Sequence, residues 1–339
     1  MASIVDVADA AGVSIATVSR VFSKKPHVRP ELQARVLAAA ASLGYQPSRV
    51  ARSLRLQRSQ VFGLIISDIQ NPFFTALVRA VEDVAQQHQY AVFLCNSDEN
   101  VEKEKLYIDL MEAEQVAGVI ITPTVENSSS CQWLIEAGIP VVAVDRRLPG
   151  VAVDTVLVDN HAASQLLIDH LIADGHRAIA AIVGPPTSTT GHERLEGYLA
   201  SFQAHGFPVE NSYICQGTPT EAVGEQFAYD LLDSQPRPTA IFAGNNALAA
   251  GALRAIRRRK LRIPDDVALV AFDEVPWMSL VEPQLTVIRQ PVYEIGRMAA
   301  NLLLERLADS TAPPKEFVLP VTLQIRQSCT HHPDGQHTT

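Results

Sequence analysis

Eight short apolar runs beyond Val61 constrain the fold of this chain more than any other feature. They read "VFGLIIS", "YAVFLCN", "AGVIITP", "IPVVAVD", "DTVLVDN", "AIAAIVG", "TAIFAGN" and "VALVAFD". Each is rich in β-branched residues and too short for a core helix. Helical stretches separate most of them, at 72–87, 102–113, 162–173, 193–205 and 245–259. Continuous apolar strands alternating with helices indicate doubly wound parallel sheets, covered on both faces. About ten such units in roughly 270 residues exceed one usual sheet, so two α/β lobes are expected.

The first 60 residues follow another pattern. Ser3 and Asp6 form an S-x-x-D capping box that opens a helix, with Val5 and Ala8, joined by Val7 and Ala11, at helical spacing. Gly12 supplies a turn, and Ser14 caps a second helix. There Val18 and Val21 face inward, while Ile15, Ala16, Thr17, Ser19 and Arg20 lie towards the other face. A third helix is expected from Pro30 to Leu43, with Leu32, Val36, Leu37, Ala40 and Leu43 as its apolar positions. Three short helices, the middle one presenting small polar groups and an arginine, suit a helix-turn-helix whose second helix enters the major groove. Ser14 and its neighbours can hold phosphates, and Arg20 can reach a guanine. A helical hairpin packed on a larger domain is the alternative that pattern alone leaves open.

Charge shifts the balance towards the helix-turn-helix. Residues 1–60 carry nine Lys/Arg against three acids, a net +6, while the whole chain carries −9, which leaves −15 on the remainder. A basic head on an acidic body confines phosphate contact to the head. Between them, "GYQPSRVARSLRLQRSQ" reads as a linker with one short helix carrying Arg49, Arg52 and Leu54. A helix of about two turns is unstable alone in water, so this one would need DNA or a partner to form, and a plain flexible tether is the alternative that pattern alone leaves open.

Several function classes are excluded or disfavoured. No run of about 18 apolar residues signals a membrane span. The N-terminus lacks a basic-then-apolar leader, so a cytoplasmic protein, nucleoid-associated when bound, is expected. The four cysteines form no C-x-x-C, which fits a reducing compartment, and no metal or cofactor is expected. No G-x-G-x-x-G, P-loop, G-x-S-x-G or H-E-x-x-H appears, so the chain is not expected to be an enzyme.

In doubly wound sheets, ligands bind beyond the carboxyl ends of the strands. Here those ends carry "SDIQNPFF", "VDRR", "GNN" and "FDE". Asp145, Arg146, Asn245 and Asp273 can fork onto sugar hydroxyls, and Phe73 and Phe74, just beyond Asn71, can stack on an apolar ring face.

The chain resembles the LacI/GalR family of bacterial transcription repressors over residues 2–328. The most specific segments are "VADAAGVSIATVSRVFS" and "GYQPSRVARSL", followed by "NPFF", "HLIADGHRAIAAIVGP", "RLEGY", "PTAIFAGNNALAAGAL", "RIPDDVALVAFDE" and "LTVIRQP". The resemblance implies a helix-turn-helix head (1–46), a hinge helix and linker (47–60), and a two-lobed body like periplasmic sugar-binding proteins (61–328). Its N-lobe would span about 61–160 plus 290–322, its C-lobe about 161–289 plus 323–328, with a disordered tail at 329–339. It places Ile15, Ala16 and Arg20 on the recognition helix, with His27 added to the DNA contacts, and Leu54 beside Arg55 in the minor groove. It places Phe73, Phe74, Asp145, Arg146, Arg194, Asn245, Asp273 and Gln290 around an effector. The chain departs from the family at "QGTPTEA", which lacks the usual aromatic, at Asn246, where aspartate is more usual, and at Arg29, which replaces a small polar cap. The leucine-heptad tail of some relatives is missing.

The function implied is a homodimeric repressor on a palindromic operator, controlled by a pentose, hexose or sugar derivative. A branch dependent on a co-repressor or protein partner, and a solute-binding protein for transport, are the competing readings.

Overall fold

A computed structural model describes residues 2–22, 28–45, 59–124, 129–148 and 150–329. The chain separates into two compact units, Met1–Ser59 and Gln60–Thr339. The first contains helices α1 (Ile4–Ala11), α2 (Ile15–Phe22) and α3 (Pro30–Ser42). The Ser3–Asp6 capping box forms: the Ser3 amide donates to Asp6 at 2.7 Å, and the Asp6 amide donates to Ser3 Oγ at 3.3 Å. Gly12 ends α1 with φ +59°, a left-handed conformation open to glycine at little cost. Val7, Ala8, Ala11, Val18, Val21, Val36, Ala39 and Ala40 make the core. Val5, Leu37 and Leu43, expected inside, are 46%, 46% and 39% exposed; Val7 and Ala11 on α1 and Ala39 on α3 take the inward positions instead. Arg29 precedes α3 without a side-chain capping bond, as its residue type requires.

The second unit holds two six-stranded sheets. In chain order the first contains β1 (Val61–Ile66), β2 (Ala91–Asn96), β3 (Gly118–Ile121), β4 (Val141–Val144), β5 (Asp154–Val158) and β11 (Glu316–Leu319), in spatial order β11-β5-β4-β3-β1-β2. The second contains β6 (Ile179–Val183), β7 (Ile214–Gln216), β8 (Ala240–Ala243), β9 (Ala268–Phe272), β10 (Thr286–Arg289) and β12 (Thr322–Gln324), in spatial order β12-β10-β9-β8-β6-β7. The two orders are the same, position for position. Every pairing is parallel except β10 with β12.

Helices α4 (Pro72–Gln87), α5 (Val101–Ala113), α6 (Ser129–Glu136) and α11 (Val292–Ala308) accompany the first sheet. Helices α7 (Asn160–Ala173), α8 (Thr189–Ala204), α9 (Glu221–Asp233) and α10 (Asn246–Arg258) accompany the second. Alternate strand residues feed the two faces. Phe62, Leu64 and Ile66 point to one side of the first sheet, Ile65 to the other. The chain passes between sheets three times: after β5, after β10, and between β11 and β12.

Two features pin the last crossovers. Arg306 on α11 donates to Asp154 Oδ2 at 2.8 and 3.0 Å, and the Lys315 amide donates to Asp154 Oδ1 at 2.8 Å, locking β11 beside β5. Ser328 Oγ accepts from the Thr286 amide and donates to the Leu269 carbonyl. Cys329 is consequently fully buried. Its assignment to a disordered tail is corrected: the packed chain continues through Cys329, and 330–339 lie outside the described residues. The helix read at 193–205 begins at Thr189, because Ser188 caps it across a Thr-Thr-Gly stretch of poor helix formers. Asn245 and Asp159 stand outside α10 and α7 as their N-caps.

Candidate functional site

A cavity of about 230 Å³ opens between the two lobes, where strands of both sheets end. Its wall contains Asn71, Phe73, Phe74, Asp145, Arg146, Arg194, Asn245 and Asp273. Gln290, the remaining expected residue, is not in the wall. It donates to Asp273 Oδ1 at 2.5 Å and holds that carboxylate from behind.

Backbone conformation marks the same place. Seven described non-glycine residues have positive φ. Gln89, Gln115 and Lys260 each follow a helix C-cap, an ordinary left-handed position. The other four, Asp98, Glu99, Asp145 and Asp273, all line the cavity. Strained backbone of this kind concentrates at binding sites, where surrounding structure holds it.

Both arginines are already engaged. Arg146 donates to the two carboxylate oxygens of Glu99 at 2.6 and 2.8 Å and to the Pro123 carbonyl at 3.0 Å. Its buried Nε has no hydrogen bond among the described residues. Arg194 donates to Asn160 at 2.9 Å and the Gly244 carbonyl at 2.6 Å, lies 3.8 Å from Asp273, and stacks 3.8 Å above the Phe272 ring. Glu99 escaped the sequence reading. Its "SDEN" loop reads as a plain turn, and only the strand-end rule applied to β2 would have found it.

The wall contains five carboxylates (Asp68, Asp98, Glu99, Asp145, Asp273) against two guanidiniums. Burial pushes Asp145 up to about 6, against the pull of Arg146 and Arg194. Burial also raises Asp273, opposed by Arg194 and the Gln290 hydrogen bond. The apolar surface comes mainly from the first lobe: Phe73 and Phe74 meet edge to face at 5.1 Å. In the "QGTPTEA" segment, Thr218, Pro219 and Thr220 line the wall where the family usually has an aromatic.

Among the described residues, two side-chain ties cross the cleft. Asn246 Nδ2 donates to Asn71 Oδ1 at 2.8 Å, and the same oxygen accepts from the Phe73 amide at 3.0 Å to cap α4. Arg147, just beyond β4, pairs with Glu193 on α8.

In the head, Ser14 Oγ accepts from the Thr17 amide at 3.2 Å and caps α2. Ile15 is 47% exposed, Ala16 and Arg20 are exposed, and Thr17 and Ser19 are half-buried. Arg35 does not belong to that surface: it donates to the Ala11 carbonyl at 2.5 Å and braces the turn between α1 and α2. His27, Arg49, Arg52, Leu54 and Arg55 lie outside the described residues.

Comparisons with known proteins agree with this division. A model of the bacterial regulatory proteins of the lacI family matches residues 3–48. A model of the periplasmic binding proteins and sugar binding domain of the LacI family matches 59–327. The chain is 37% identical over 328 residues to the ribose operon repressor of Halalkalibacterium halodurans, with 97% of each chain covered. The chain belongs to the LacI family.

Among solved structures, the lac repressor dimer bound to operator and the anti-inducer ONPF superposes with a TM-score of 0.84 at 27% identity, covering 97% of this chain and 99% of that one. A LacI-family regulator from Enterococcus faecium with bound ribose gives 0.72 at 28% identity, covering 80% and 98%. As a LacI-family member, the chain is a DNA-binding transcriptional regulator. No helix among the described residues is long and apolar enough to cross a membrane.

Proposed function

We propose that this regulator is a cytoplasmic repressor, that its head reads one half of a palindromic operator as part of a homodimer, and that a neutral pentose or hexose in the inter-lobe cavity controls operator affinity. One observation carries the choice of ligand: the cavity wall sets five carboxylates against two guanidiniums, and both guanidiniums are hydrogen-bonded to protein groups. A hydroxyl donates to Asp145 or Asp273, and a charged hydrogen bond of this kind contributes about 1.5–3 kcal/mol. A sugar acid or phosphate would instead face five carboxylates with both guanidiniums already held by the protein. The cavity is smaller than the ~300–1,000 Å³ of drug-sized sites and suits a monosaccharide. Phe73 and Phe74 offer the apolar face that a sugar ring needs.

The ribose repressor relative and the ribose-bound neighbour support D-ribose as the first candidate. Sugar occupancy biases the two lobes, residues 47–60 carry the change, and Leu54 with Arg49, Arg52 and Arg55 meets the operator. Phe93 and Leu94 on the edge strand β2, with Val101 and Leu106 on α5, are exposed apolar residues suited to a second copy of the chain. The site binds its sugar without turnover.

Calorimetric titration of the full chain with neutral aldoses, and with their uronic acids and phosphates, tests this reading. Micromolar or tighter binding of one neutral sugar, with the acid and phosphate forms at least tenfold weaker, is the expected result. Preference for an anionic form, or measurable turnover, refutes it.

A further inference from the structure

Far from the cavity, three side chains of different chemistry converge at the other end of α7. His170 and Asp174 lie four residues apart, on one face of its last turn. Asn160, beside the cavity, lies about 15–20 Å away along the same helix. Cys329, beyond β12, is fully buried against them. His170 Nε2 is 3.3 Å from Cys329 Sγ and 3.5 Å from Asp174 Oδ2, and the three atoms lie within 4.8 Å of one another. Sequence spacing could not reveal this group, since 159 residues separate His170 from Cys329.

The two distances from His170 Nε2, 3.3 and 3.5 Å, fit a tetrahedral zinc ion, and the third separation, within 4.8 Å, closes to it with a small side-chain adjustment. Bonds of about 2.0–2.1 Å to nitrogen, 2.0–2.2 Å to oxygen and 2.3 Å to sulfur set the ligand atoms about 3.4–3.6 Å apart. A second observation points the same way. Asp174 Oδ2 is buried and accepts no hydrogen bond among the described residues, its contact with His170 Nε2 at 3.5 Å being longer than one. Thr286 Oγ1 touches Cys329 Sγ at 3.1 Å and is fixed by the Arg326 amide at 2.8 Å, so the sulfur is oriented from behind. His170 and Asp174 retain 15% and 23% side-chain exposure, which leaves an entry path and room for a water as fourth ligand.

We propose that His170, Asp174 and Cys329 form a zinc site that fastens the end of the chain to α7. Thiolate with imidazole selects zinc over magnesium or calcium. On binding, Cys329 releases its thiol proton to solvent as the metal–sulfur bond forms. The site holds the returning strand β12 in the second lobe just after the third crossover, and so couples metal to the stability of that lobe.

Titration of the chelator-treated full chain with Cd²⁺, followed by cadmium–thiolate charge-transfer absorption, tests the site. Zn²⁺ competition and elemental analysis of the untreated protein accompany it. The expected result is one absorbing equivalent, displaced by Zn²⁺, absent in Cys329→Ser, and at least tenfold weaker in His170→Ala and Asp174→Asn. The wild-type titration decides the question even if a variant folds poorly. Metal bound without a thiolate band, as the histidines of the last nine residues would give, overturns the proposal. So does a band that survives Cys329→Ser, or no binding at all.

Discussion

Asp145 and Asp273 occupy one topological position in the two lobes. Each is the first residue after the fourth strand of its sheet in chain order, β4 or β9, and the two sheets share one strand order. Both adopt the left-handed conformation, at φ +66° and +69°, and both are buried in the cavity wall. The left-handed turn directs each carboxylate into the cleft instead of along the strand. Arg194, 3.8 Å from Asp273, also pulls on Asp145, so the cleft holds the two acids in one electrostatic system.

The raised pKa of Asp145 makes ligand-free stability depend on pH. Its folded value, about 6, lies above its ordinary value of 3.8. The protonated form is therefore favoured by folding. That contribution is complete below about pH 4 and is lost as pH rises through about 6. Above pH 7 the folded chain bears a buried carboxylate at a cost of about 1–3 kcal/mol. Asp145→Asn should raise the melting temperature of the ligand-free protein at pH 7.5 and leave it nearly unchanged at pH 4. Sugar hydroxyls favour the ionised form, so wild-type affinity should rise between pH 5 and 7. Parallel melting and calorimetric series at these pH values measure both effects.

The Asn71–Asn246 bond ties the lobes across the cleft. Asn71 Oδ1 already accepts from the Phe73 amide, so only a donor can satisfy it from the other side. Asn246→Asp replaces that donor with a carboxylate. The loss of one such bond, about 0.5–1.5 kcal/mol, should weaken sugar binding about 2- to 12-fold with little change in melting temperature. Calorimetry with scanning fluorimetry separates the two.

Much of this fold was legible in the sequence because parallel strands buried on both faces read as unbroken apolar runs. All eight such runs contain strands, and α4 has the bounds read from the sequence. Strands β7 and β11 were illegible for the opposite reason: they are short, partly exposed edge strands, and β11 alternates exposed with half-buried residues. Cleft residues were legible where they follow an apolar run, as Asp145 and Asp273 do. Glu99 was not, because its role depends on Arg146 reaching it across 47 residues. Gln290 was placed in the cleft, but its amide donates to Asp273 from behind the wall. One-dimensional pattern does not distinguish a wall residue from its support.

Asp154 is 2% exposed and accepts from both Arg306 and the Lys315 backbone. Removing one member of a buried pair leaves the other charge without compensation, at a cost of about 3–5 kcal/mol. Asp154→Ala should therefore destabilise the first lobe by that order in chemical denaturation. Arg306→Met with Asp154→Leu should recover part of the loss.

Arg20 is exposed on α2, across the helix from Val18 and Val21. Arg20→Ala should cost about 1–3 kcal/mol per half-site and relax the preference at one symmetric base position. Selection from randomised operators measures it. An unchanged base preference with uniformly weaker binding would make Arg20 a phosphate contact.

Operator affinity measured with and without sugar tests the link between cavity and head most directly. Operator selected by the full chain is titrated with wild type and with Asp273→Ala, each without sugar and with saturating D-ribose or the neutral aldose found by calorimetry. For wild type, sugar should shift operator affinity at least tenfold. For Asp273→Ala, affinity without sugar should match wild type, and the same sugar concentration should leave it unchanged. Equal wild-type affinity with and without every neutral pentose and hexose, or a full sugar response from Asp273→Ala, would contradict control of the head through this cavity.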